Sequence, residues 1–201
     1  MLSVFLPLSM LYLAFWLWYG GNGQPMSREE IEDALQKLRS TDPMHNNEEE
    51  IEDVRQLLAS DDGKEFVMQN LVRYRPKALY PEGHHFGDDP READKRYGKS
   101  IIGDLLRYGN LVIFIARKTG DFVKPEGADA WHYVAMVRYR SRRDFVRFAT
   151  RANQAEKFIH KWAAIEKTHV FPVKPIISLM AVRTLVAMSL VTIGLLVTRL
   201  L

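Results

Sequence analysis

The chain has 201 residues, 47% hydrophobic and 26% charged, and its 28 Lys and Arg against 25 Asp and Glu give a formal net charge of +3. It has no cysteine, which excludes disulfides, thiolate-bound zinc or iron–sulfur clusters and any cysteine nucleophile. The apolar residues crowd the two ends, so these averages blend two hydrophobic segments with a more polar middle of ordinary domain size.

Residues 1–20, MLSVFLPLSMLYLAFWLWYG, carry no charged side chain and are long enough to cross about 30 Å of hydrocarbon as a helix. Phe15, Trp16, Trp18 and Tyr19 gather at one end, where amphipathic rings favour the headgroup layer. The segment lacks a positive n-region and a small-x-small cleavage site, so it reads as an uncleaved anchor rather than a secretory signal.

Residues 21–63 read as a linker followed by an acidic helical hairpin. Ser27 and Glu30 form a capping-box pattern ahead of the stripe Ile31, Ala34, Leu35, Leu38. Asp42-Pro43 breaks this helix, and Asn47 restarts a second with Ile51, Val54, Leu57 and Leu58 on one face.

From Glu65 the hydrophobic period changes. EFVMQNLVRYR predicts a strand ended by Pro76, and residues 81–90 a loop. A helix from Arg91 to Tyr108 is stopped by Gly109. NLVIFIARKTGDFV and WHYVAMVRYRS predict two further strands, Arg142 to Lys167 a long helix, and HVFPVKP an edge strand. Strand, helix, strand, strand, helix, strand over residues 64–175 is the split order of an α+β, ferredoxin-like domain, with two helices over one face of an antiparallel sheet. Both faces of the central strands are apolar, so the second face also wants a cover, and another subunit's sheet would supply it in a homodimer.

Residues 176–201, IISLMAVRTLVAMSLVTIGLLVTRLL, form a second candidate span interrupted by Arg183 and Arg199. Arginine stems near helix ends can snorkel to the interface. Neither anchor holds an acidic residue, so an intramembrane partner for Arg183 would come from another integral-membrane subunit. Two spans put both termini on one side and the middle on the other. Arg28, Lys37, Arg39, Lys167 and Lys174 beside the anchors then favour a cytoplasmic domain on the inner membrane.

Charge divides along the chain. Residues 27–65 hold 13 acidic and 5 basic side chains, net −8, and residues 66–175 hold 21 basic and 12 acidic ones, net +9. An acidic hairpin docked on a basic domain accounts for this. Nucleic acid is not expected as a partner, because the cations are dispersed and no recognition motif accompanies them. Membrane lipid is.

EFVMQNLVRYRPKALYPEG, ADKRYGKSIIGDLLRYG, VRYRSRRDFVRF and HKWAAIEKTHVFPVKP together resemble the dimeric α+β-barrel superfamily, within it a family of uncharacterised function, over about residues 64–175. The superfamily includes cofactor-independent monooxygenases, haem enzymes, isomerases and non-catalytic ligand binders. The resemblance therefore implies a fold and no one activity.

No nucleophile elbow, phosphate loop, HExxH or dinucleotide fingerprint occurs. The six histidines are His45, His84, His85, His132, His160 and His169. His84 and His85 lie near Asp88 and Asp89, but adjacent residues chelate one ion poorly and no metal site is expected. In the implied fold, a pocket between sheet and helices or at the barrel mouth would draw on Asn70, Arg73, Tyr97, His132, His160 and Glu166. There His160 would act as general base, with Arg73 or Asn70 steadying an oxyanion. Haem ligation by His160 is a variant of the same reading; otherwise no cofactor is expected. The plain alternative pairs His160 with Glu156 and puts Trp162 in the core. The expected function is an accessory, ligand-binding or assembly subunit at the membrane. A cofactor-independent oxygenase or isomerase acting on a lipophilic molecule is the alternative.

Overall fold

The computed structural model describes residues 2–41, 47–152, 155–178 and 181–200, and these form seven helices and four strands. The chain divides into two units, residues 1–22 with 175–201, and residues 23–174.

The first unit is a pair of helices, α1 (Leu2–Gly20) and α7 (Val182–Leu200), each 19 residues and apolar enough to cross a membrane. Their contact is set by Gly194, where an added Cβ would lie 2.7 Å from Cε1 and 2.9 Å from Cζ of Phe5. A small residue at such a point lets two membrane helices approach closely. Arg183 does not dangle. Its guanidinium lies 4.5 Å from the Trp16 ring centroid and 5.0 Å from that of Tyr19, a cation–π stack within this pair. The aromatic end of α1 thus meets the charge at the start of α7.

The second unit begins with α2 (Arg28–Thr41) and α3 (Glu48–Ala59). The expected capping box forms: the Ser27 amide donates to Glu30 Oε2 at 2.8 Å, and the Glu30 amide to Ser27 Oγ at 3.2 Å. Asn47 Oδ1 caps α3 by accepting from the Glu50 amide at 2.7 Å. Asp42 and Pro43 lie outside the described residues. Ala34, Leu35, Ile51 and Leu58 of the hairpin are buried together with Val146 of α5 (Arg142–Ala152). Full burial of a leucine contributes roughly 1.5–3 kcal/mol, so Leu35 and Leu58 are the main anchors of this contact. Charge complementarity adds to it, through Arg143 to Glu30 at 3.0 Å and Arg142 to Asp62 at 3.3 Å. The acidic hairpin does sit on the basic part of the chain.

The strands β1 (Phe66–Tyr74), β2 (Leu111–Arg117), β3 (Tyr133–Tyr139) and β4 (Ile165–Val173) form one antiparallel sheet in the order β2-β3-β1-β4. Pro172 is accommodated because β4 is an edge. Between β1 and β2 runs α4 (Pro90–Arg107), with Asp89 as N-cap and proline at its first turn. Gly109, at φ +69°, closes it: the Gly109 amide donates to Leu106 O at 3.0 Å and the Asn110 amide to Leu105 O at 2.9 Å, a Schellman cap.

Three boundaries differ from the sequence reading: β2 ends at Arg117 instead of running on to Val123, α7 starts at Val182 instead of Ile176, and the last helical stretch of the second unit stops short of Lys167. Over the stretch expected as one helix to Lys167 the described residues form α5 and then α6 (Ala155–Ala164), with residues 153–154 outside those described, and Ile165 opens β4. Pairing of Ile165–Val173 with β1 overrides the helical propensity of Glu166 and Lys167. Asp104, buried on α4, binds Arg151 of α5 at 2.6 Å and Lys157 of α6. Burial alone would raise the Asp104 pKa, but the hydrogen bonds from Lys157 and Arg151 outweigh it and hold the carboxyl below its ordinary range.

Candidate functional site

Alternation along the strands decides what the helices see. On β1 the residues Asn70, Val72 and Tyr74 point to one face, and register places Ala135, Tyr133, Val170 and Thr168 beside them. Between that face and α4 lies a cavity of about 670 Å³. Its walls are mostly apolar, among them Ile101, Leu105, Val137, Phe148 and Ile165. The volume falls within the usual range for small-molecule sites.

On α4 the stripe Asp94, Gly98, Ile101, Leu105 faces the sheet with spacings of four, three and four residues, and every member lines the cavity. A Cβ added at Gly98 would meet no atom within 4 Å. The missing side chain is therefore part of the space.

The polar end of the cavity is built around Asp94. Tyr74 donates from its hydroxyl to Asp94 Oδ2 at 2.8 Å, and Tyr133 also donates to this carboxyl. Burial is the largest influence on Asp94 and raises its pKa above the ordinary value, against the opposing effect of the two tyrosines and of Lys161. Burial followed by the nearby carboxylate raises the pKa values of Tyr74, Tyr97 and Tyr133, so these phenols stay protonated and act as donors. His132 stands at the rim. Its Nδ1 accepts the Tyr74 amide at 2.9 Å, which places the proton of the neutral ring on Nε2, and its ring stacks on Tyr74 with centroids 5.7 Å apart.

Of the residues expected to converge, the cavity gathers Asn70, Tyr97 and His132. Asn70 donates from its side-chain amide to Met68 O at 3.1 Å and Ala135 O at 3.3 Å. Arg73 is turned to the other face of the sheet, where it pairs with Glu166 at 3.0 Å and Asp129 at 3.6 Å. His160 lies apart as well: its Nδ1 meets the Tyr80 hydroxyl at 2.9 Å and its ring packs edge-on against Phe86 at 4.8 Å. Burial, then Arg96 and His84, lowers the His160 pKa and so favours the neutral ring. Trp162 packs with the core cluster of Val72 and Ala163. His45 lies outside the described residues, and among those described no group of three His, Asp or Glu is placed to hold a metal ion.

Asp94 was not among the expected residues. The readable signal was an acid on the inward stripe of an amphipathic helix, three residues before Tyr97 and seven before Ile101.

No protein-family model matches the chain, and no curated protein matches it. Among solved structures, that of methylated RPA0582 is similar, with a TM-score of 0.54 at 27% sequence identity over 65% of this chain and 93% of that one. A second structure, of RPA0582, a protein of unknown function from Rhodopseudomonas palustris, gives a TM-score of 0.53 at 26% identity over 66% of this chain and 95% of the other. About two thirds of this chain therefore matches nearly the whole of that protein.

Proposed function

We propose that the chain is a membrane-tethered ligand-binding subunit whose cavity takes up a small, largely apolar molecule. The observation that carries this reading is the cavity of about 670 Å³ between α4 and the sheet, apolar in its walls and polar at one end. The strand order β2-β3-β1-β4 supports assigning residues 64–175 to a ferredoxin-like domain of the dimeric α+β-barrel kind. Leu71, Val134, Met136 and Phe171 lie on the sheet face turned from the cavity, and a second copy covering them fits a homodimer. Two candidate spans per chain support a fixed place among integral-membrane subunits over diffusion in the cytosol.

The test is titration of N-phenyl-1-naphthylamine, a neutral apolar fluorophore, against the full chain in lipid nanodiscs, with empty discs as the blank. Saturable binding that disappears in Gly98→Leu is expected. Binding that matches the blank, or that Gly98→Leu leaves intact, counts against the reading. The cytoplasmic, inner-membrane placement is tested separately: the chain has no cysteine, so Lys124→Cys reports sidedness cleanly. Protection from an impermeant maleimide in intact cells is expected, and labelling there contradicts it.

A second reading, an isomerase or cofactor-independent oxygenase on a lipophilic substrate, is favoured by Asp94, a half-buried carboxyl with a raised pKa beside two phenol donors. Such a group can take a proton from an activated carbon while a tyrosine stabilises the oxyanion formed. The positions of Tyr97 and His132 beside it fit this role; His160, held by Tyr80 and Phe86, offers nothing to the cavity and gives the haem variant no support. Solvent deuterium appearing in a co-purified ligand, and absent with Asp94→Asn, would support catalysis; no incorporation by the wild type would count against it.

A further inference from the structure

The cavity is bordered by cations from three elements: Arg91 and Lys95 of α4, Arg117 and Lys118 at the end of β2, and Lys161 of α6. Its lining includes a single carboxyl, Asp94, whose oxygens are already engaged by tyrosines and whose ionisation burial opposes. Lys95 is paired with Glu92 at 3.2 Å and Lys118 with Asp121. Lys161 lies over the rings of Trp162, at 4.5 Å, and Phe158, at 5.0 Å. Arg91 and Arg117 differ. Neither has a carboxylate partner among the described residues, and they approach one place from opposite walls. Arg91 sits 6.0 Å from the Tyr74 ring centroid, and Arg117 pairs across the sheet with Tyr133. Both act electrostatically on the Tyr74 hydroxyl.

We infer that the ligand is an amphipathic anion, an apolar chain or ring system lying along Ile101, Leu105 and Val137 with a carboxylate or phosphate head between Arg91 and Arg117. The inference rests on the ligand-binding reading above. The reasoning is one of charge and shape together. A bare anion would leave the apolar wall uncovered, whereas a neutral hydrocarbon would leave two guanidinium groups at the mouth with no counter-charge. Guanidinium forks suit planar or tetrahedral oxyanions and stay charged at every physiological pH. The phenol protons of Tyr74 and Tyr133 are already given to Asp94, which leaves the head to the two guanidinium groups.

The test compares octanoate, octyl phosphate, 1-octanol and octylammonium, which share one chain and differ in the head, against the full protein in neutral phosphatidylcholine nanodiscs, with empty discs subtracted. Octanoate or octyl phosphate is expected to bind more tightly than octanol, and octylammonium most weakly; whichever anion leads identifies the head. In Arg91→Gln/Arg117→Gln the anions should weaken about tenfold while octanol is unchanged, the size expected of charge-assisted contacts partly screened by solvent. If octanol and octylammonium bind as well as the anions and all four are lost in Gly98→Leu, the anionic head is wrong and the cavity reading stands. If nothing binds, or Gly98→Leu changes nothing, both fall.

Discussion

Replacing Gly98 with leucine makes two predictions of opposite sign. Gly98 lies in the interior of α4, where glycine costs about 1 kcal/mol relative to alanine and leucine costs little. A Cβ at that position meets nothing within 4 Å, so the new side chain has room and its backbone benefit is not cancelled by a clash. Gly98→Leu should therefore stabilise the fold by about 1 kcal/mol, worth a rise of roughly 2–4 °C in Tm for a unit of this size. The same side chain projects from the stripe of Asp94, Ile101 and Leu105 into the cavity and competes with any occupant. Overpacking of this kind costs about 1–3 kcal/mol, which converts to a loss of binding of about fivefold to more than a hundredfold. Circular-dichroism melting and probe titration in nanodiscs read the two effects independently. A variant that melts lower than the wild type, or one that keeps full binding, would refute the reasoning.

Three further outcomes follow from particular contacts. The Asp94 carboxyl, raised by burial, should titrate by carbon-13 NMR above the ordinary carboxylate value of about 3.9; because its protonated form is favoured in the fold, its contribution to stability is present at low pH and lost as pH rises through the folded value, so Asp94→Asn should gain on the wild type toward neutrality. A midpoint at or below the ordinary value contradicts this. Gly194→Leu should separate α1 from α7, since even a Cβ would fall 2.7 Å from the Phe5 ring, and an unchanged nitroxide distance between the helices would argue otherwise. Arg143→Ala removes bonds to Glu30, Gln24 O and Pro25 O, each at 3.0–3.1 Å, and should cost about 2 kcal/mol, seen as faster amide exchange in α2 and the segment before it. Unchanged exchange there contradicts it.

Much of the fold was legible because each element carries its own punctuation. Ser27 with Glu30, Asn47 and Gly109 mark helix ends through hydrogen bonds that depend on a few adjacent residues. The segment from Ile165 was not legible in this way. Its opening residues continue a helical pattern, and only partnership with β1, nearly a hundred positions earlier, makes it a strand. The site was legible in part. Asn70, Tyr97 and His132 line the cavity, but Arg73 could have been excluded by parity alone, since residues 70 and 73 of one strand face opposite ways. His160 is claimed by Tyr80 and Phe86, side chains of a loop that strand and helix patterns do not place. Asp94 is chemically the most distinctive group in the cavity, and its importance comes from Tyr74 and Tyr133 on two other elements converging on it.

The central claim is that this cavity holds a small apolar molecule. Native mass spectrometry of the full chain, extracted in mild detergent from the cells that make it, tests it most directly, run beside Gly98→Leu prepared identically. The expected result is a discrete small-molecule adduct on the wild type that the variant lacks. Identical spectra from the two proteins would contradict the account.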